Sequence, residues 1–168
     1  KHLHFKEVIE RKAFPMDISY ETIESASYLN QVRTSMSMQS LSHNNNLESA
    51  AKAHANYLVS NNEFSHDEIM GHHNFTAVKA FERALKFGYD SKVVYENLST
   101  NNHNARSSVD GLFSAIYHRF GFLSPTINEI GVGVEQDRLD SDKSAFVYLV
   151  GNRDLNLLCS GKSFSGAG

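Results

Sequence analysis

Residues 130–151 read IGVGVEQDRLDSDKSAFVYLVG. Two apolar runs, IGVGVEQ (130–136) and SAFVYLVG (144–151), flank the polar stretch RLDSDK (138–143). Short apolar runs separated by turn-forming residues read as paired strands, so a hairpin is expected here. Most of the chain before it is patterned for helix. That order, helices first, strands last and one more helix in between, predicts an α+β fold with helices stacked on an antiparallel sheet.

Working outward, residues 19–38 place Ile23, Ala26, Leu29, Val32 and Met36 at helical spacing. SHNNN (42–46) breaks that pattern with good helix-capping residues. Residues 47–59 then repeat it through Leu47, Ala50, Ala51, His54 and Leu58. A third helix is expected over 76–87, with Gly88 just past its end, where a left-handed residue is favoured. VVYENLS (93–99) reads as a short strand and NNHNAR (101–106) as a polar loop. Ser107 and Asp110 have capping-box spacing and would open a helix through Val109, Leu112, Phe113, Ile116 and Tyr117. Pro15 ends any helix in KEVIERKAF (6–14), and SGKSFSGAG (160–168) is small and polar, like a boundary or tail.

The 168 residues suit one domain, and 40% apolar with 21% charged residues is a globular balance. A formal charge of -3 gives no basic face for nucleic acid. No apolar run approaches the length of a membrane-spanning helix. The single cysteine, Cys159, rules out an internal disulfide framework and a cysteine-based zinc site. The chain opens at Lys1 without a charged-then-apolar leader, as a trimmed or a mature chain would.

Four places could carry chemistry. FSHDEIMGHH (64–73) gathers His66, His72 and His73 with two acids but has no HExxH. It reads either as a solvated loop between helices or as part of a site. In AIYHRF (115–120), His118 is expected near the C-terminal end of a helix, where the dipole favours a protonated ring. It could cap the helix or do chemistry, and Arg119 is expected to pair with a carboxylate or cap carbonyls. Glu96 is costly to bury in an apolar strand unless paired; otherwise it faces water on an edge. Glu129 precedes a glycine-spaced strand too short for a phosphate loop, so GVG reads as a tight strand under a packed helix. Asn74-Phe75-Thr76 and Asn97-Leu98-Ser99 have the glycosylation spacing. No nucleophile elbow is present.

Several of these segments, in order, resemble the CAP superfamily, also called the SCP/PR-1 or cysteine-rich secretory protein family. YLNQVRTSM (28–36) looks like its opening helix. NNNLESAAKAHANYLVSNNEFSH (44–66) looks like its second helix, ending in the Phe-Ser-His of bacterial members. FERALKFGY (81–89) is similar to the segment before the central motif. VYENLS (94–99) matches the Gly-Glu-Asn motif, with Tyr95 where glycine is usual. AIYHRFGFLSPTINEIGVGVEQD (115–137) resembles the bacterial histidine-arginine helix and the strand after it.

The resemblance implies an α-β-α sandwich with a mainly antiparallel central sheet over 18–152, an N-terminal extension (1–17), and a tail or further segment (153–168). It also implies a cleft built from His66, Glu96 and His118. In some members the two matching histidines bind a divalent cation, often zinc, so His66 and His118 become the expected metal ligands. Glu96 would orient a histidine or a water, or act as a base. Three departures stand out. Ser114 lies where many eukaryotic members carry a second glutamate, the eukaryotic disulfides are absent, and the chain has no tryptophan. The implied role is a secreted or periplasmic binding module for an unidentified lipid, glycan or peptide. The alternatives are a zinc-dependent hydrolase with Glu96 as general base, or a structural or adhesion module.

Overall fold

A computed structural model describes residues 15–159; the KEVIERKAF stretch and the 160–168 tail lie outside it. In chain order the elements are α1 (Ile18–Ser35), β1 (Ser42–His43), α2 (Asn45–Asn61), α3 (Ala80–Lys86), β2 (Val94–Thr100), α4 (Ala105–Ser114), α5 (Ile116–Phe122), β3 (Glu129–Gln136), β4 (Ser144–Gly151) and α6 (Arg153–Cys159). The sheet order is β1-β3-β4-β2. Only the two-residue β1 is parallel to its neighbour; β3–β4 and β2–β4 are antiparallel. The expected hairpin therefore forms, and β2 pairs along its far side.

Because strand side chains alternate, β4 splits into two faces. Phe146, Tyr148 and Val150 join Ile130, Val132 and Val134 of β3 against Leu29 of α1, Val109 and Leu112 of α4, and Phe122 of α5. Ala145, Val147 and Leu149 join Leu98 of β2 against Leu47, Ala51, Ala55 and Leu58 of α2. Helices thus cover both faces, which is the α-β-α sandwich.

On β3 the residues facing α2 are Gly131 and Gly133. A Cβ on Gly131 would lie 2.0 Å from the Glu48 nitrogen, and one on Gly133 would lie 2.2 Å from the Ala51 carbonyl carbon. The helix backbone rests directly on the strand, as the GVG spacing implied. Glu129 opens this strand. Its carboxylate accepts from Asn44 Nδ2 (2.9 Å), Tyr89 Oη (2.6 Å) and Arg153 Nη2 (2.6 Å), tying α2, the 87–93 loop and α6 to β3.

Four local expectations need correction. The inward face of α1 is Glu21, Thr22, Ser25, Leu29 and Arg33, with Ala26 packed against the same core as expected, while Ile23 and Met36 are 71% and 50% exposed. The buried polar groups of α1 are served within the fold. Thr22 donates to Ile18 O, Tyr148 Oη donates to Ser25, and Arg33 donates to the carbonyls of Gln39 and Phe122. The capping residue of α4 is Asn104, whose Oδ1 accepts from Ser107 N at 2.9 Å, so the Ser107/Asp110 box is not the start. An extended Ala115 then breaks the helix, and Ile116 and Tyr117 turn to solvent on α5. Finally, α3 starts at Ala80, because the Thr76 and Ala77 amides are taken up by the Glu68 side chain. Gly88 does adopt the left-handed conformation after α3, with φ 88°. No helix among the described residues is long and apolar enough to cross a membrane.

Candidate functional site

The edge strand β2 is the hinge of the site. Glu96 shares a face with Leu98, toward α2 and α3, and Asn97 points to the opposite face, toward α5. Each meets one histidine.

On the α2 side Glu96 is almost wholly buried, its side chain 3% exposed. Its Oε1 accepts from His66 Nδ1 at 2.9 Å, and its Oε2 accepts from Arg83 Nη2 at 2.7 Å. Arg83 has no exposed side-chain surface. It also donates to the carbonyls of His66 (3.0 Å), Val78 (2.9 Å) and Ala77 (3.2 Å). One guanidinium therefore holds both the acid and the backbone of the loop that carries His66.

Behind them lies a second buried pair. His54 Nδ1 is 2.9 Å from Glu68 Oε1, and neither side chain is exposed. His54 Nε2 faces the Ser65 carbonyl at 3.1 Å, with Glu96 Oε1 at 3.6 Å. Both ring nitrogens therefore face acceptor oxygens. The Arg83 guanidinium, 2.7 Å from Glu96 and 3.7 Å from Glu68, offsets both buried carboxylates, which is how a buried cluster of this kind is tolerated.

Burial pushes the Glu96 carboxyl up, but His66, His54 and Arg83 outweigh it and hold it below the usual carboxylate range. The hydrogen bond to Glu96 raises the His66 imidazole above its ordinary value. The His66 side chain is 55% exposed, so the pair has one dry and one wet member.

On the α5 side, His118 Nδ1 lies 3.0 Å from Asn97 Oδ1, and Asn97 Nδ2 donates to the His118 carbonyl, also at 3.0 Å. His118 is the third residue of α5, in its first turn, not near a helix C-terminus as expected. No C-terminal dipole supports a charged ring there. Burial, then the nearby charge of His66, lowers its pKa.

The structure thus joins His66 to Glu96 and sets His118 close enough to feel the His66 charge. Among the described residues no group of three or more histidine, cysteine or carboxylate side chains is arranged to hold a metal ion. His72 belongs elsewhere: its Nδ1 bonds Glu63 at 2.7 Å and its ring stacks on Tyr57. His73 is exposed and accepts through its carbonyl from Asn61. Arg119 caps the Phe113 carbonyl. Asn97 is 6% exposed with its amide committed, so that glycosylation spacing lies in a closed position. Glu68 entered the sequence reading only as one of the two acids of FSHDEIMGHH, and His54 and Arg83 escaped it as site residues: His54 was counted as one step of a helical face, and Arg83 has no local signature.

The sequence profile described as CAP, cysteine-rich secretory protein family, matches residues 26–152. No curated protein sequence matches. The fold is similar to that of an outer surface protein from Borrelia burgdorferi (17% identity, TM-score 0.70), over 83% of this chain and 98% of that one. It is similar to an extracellular protein containing an SCP domain from Bacillus anthracis (19%, TM-score 0.68), over 80% of this chain and 41% of that one. It is also similar to a cysteine-rich secretory protein from Staphylococcus aureus (18%, TM-score 0.61), over 80% and 40%. The chain spans about two fifths of the length of the last two.

Proposed function

The chain belongs to the cysteine-rich secretory protein (CAP) family, and from that premise we propose that it is an exported binding module. In this reading its His66/His118 cleft takes a divalent cation, zinc for choice, and seats an extracellular ligand beside it. The supporting observation is the way Glu96 holds His66. Glu96 Oε1 accepts the hydrogen bond from Nδ1–H, so the lone pair of the exposed imidazole stays on Nε2, the atom a cation would use. A carboxylate behind a ligating histidine fixes its orientation and raises its basicity. Two imidazoles fit a borderline-soft cation and would leave positions open to water or to a ligand.

The same geometry favours binding over hydrolysis. Both oxygens of Glu96 are occupied and its carboxyl is held low, which suits a positioning anion better than a base that must collect a proton near neutral pH. A zinc ion, when bound, would polarise an oxygen ligand; the chain's own part is to hold and orient two neutral rings.

The test is calorimetric titration of zinc into metal-stripped protein. One site is expected in the wild type, lost in His66→Ala and in His118→Ala with the fold retained. Glu96→Gln is expected to weaken zinc by about 10–100-fold. Equal affinity in wild type and His66→Ala overturns the reading.

A further inference from the structure

We infer that Asn97 is the positioning residue that fixes His118 in one tautomer, with hydrogen on Nδ1 and the lone pair on Nε2. The importance of that for a cation rests on the reading above, but the tautomer itself follows from this site alone.

The argument starts with a group that cannot change roles. The His118 backbone carbonyl only accepts, so the Asn97 atom facing it at 3.0 Å must be the amide nitrogen. That leaves Asn97 Oδ1 as the atom 3.0 Å from the ring Nδ1. An amide oxygen only accepts, so Nδ1 must carry the hydrogen. One side chain therefore grips the same residue twice, by its backbone and by its ring. An isolated imidazole has no such constraint.

The amide is itself confined. Asn97 is 6% exposed, and Gly121, three residues after His118 on α5, packs against it. A Cβ on Gly121 would lie 3.2 Å from Asn97 Nδ2 and 3.5 Å from Oδ1, so the helix leaves room for the amide and nothing more. Glu96 performs the matching task one residue earlier, on the other face of β2. Two consecutive strand residues thus orient two rings, one from the loop between α2 and α3 and one from α5, and each ring turns Nε2 away from its support.

The experiment is long-range proton–nitrogen NMR of the metal-free, histidine-labelled protein at pH 8, which identifies the nitrogen bearing hydrogen in each ring. His118 is expected to carry it on Nδ1. In Asn97→Ala the His118 signal is expected to move toward the Nε2–H form while His66, held by Glu96, keeps its own. Gly121→Ala, which retains every polar group, is expected to produce a smaller shift in the same direction.

Hydrogen on Nε2 of wild-type His118, or an unchanged tautomer in folded Asn97→Ala, overturns the inference. The wild-type spectrum decides even if the alanine variant does not fold. Zinc separates the two readings. Nδ1–H on His118 with no zinc binding supports the role of Asn97 and removes the cation. Where zinc does bind, Asn97→Ala is expected to cost about 10–100-fold in affinity.

Discussion

β3 and β2 flank β4 on opposite sides and carry opposite solutions to the same packing problem. Toward the α2–α3 layer, β3 presents glycines, and the α2 backbone settles onto the strand with no side chain between them. Toward the same layer, β2 presents Glu96, and the space fills with Arg83, His54 and Glu68. The first contact gains close packing and needs no partner. The second must satisfy every charge before it stops being a liability. That difference is why β3 looks structural and β2 looks like a site. A strand whose polar side chains are held in a fixed, dry arrangement can hold a histidine at its rim in one orientation.

The comparison can be broken from either side. The largest expected effect is on the β2 side. Arg83→Met leaves Glu96 and Glu68 buried without their cation and is expected to cost about 3–5 kcal/mol in urea unfolding. A loss under about 1 kcal/mol would mean that the cluster is not coupled as drawn. Next is β3. Gly133→Ala puts a methyl into the α2 backbone and is expected to cost about 3 kcal/mol, beyond ordinary overpacking because backbone cannot rotate away.

A smaller effect separates the strands by pH. Burial pushes the Glu129 carboxyl up, but Arg153, Tyr89 and Asn44 hold it low, as the partners of Glu96 do there. A depressed carboxyl contributes stability above its unfolded value of about 4.3 and loses it as pH falls through its folded one. Urea midpoints from pH 6 to pH 2 should therefore fall less steeply in Glu129→Gln than in the wild type. The smallest is a null effect. His72→Ala, which breaks only the Glu63 and Tyr57 contacts, should leave zinc affinity unchanged.

Much of the frame was legible locally. The hairpin, α2 with its Asn44 cap, and the glycine-spaced strand under a helix follow from periodicity, turn chemistry and residue size. The α1 face was misread because periodicity counts apolar residues, whereas Thr22, Ser25 and Arg33 are buried through hydrogen bonds the pattern does not contain. His118 was placed at the wrong end of a helix because nothing in SAIYH marks the extended Ala115 that restarts the count. The cleft residues His66, Glu96 and His118 were reached by resemblance; spacing alone left FSHDEIMGHH open.

By itself the sequence determined the main layers: β2, β3 and β4 as strands, α1 and α2 as helices, and where a helix can lie directly on a strand. Those properties are set by neighbours within a few residues. Only the tertiary structure decided which charges are buried together and which nitrogen of each histidine holds its hydrogen. Glu96 meets Arg83 across 13 residues and His66 across 30, and Asn97 meets His118 across 21. Hydrogen bonds over such separations depend on how the layers dock, so no local pattern of residues encodes them.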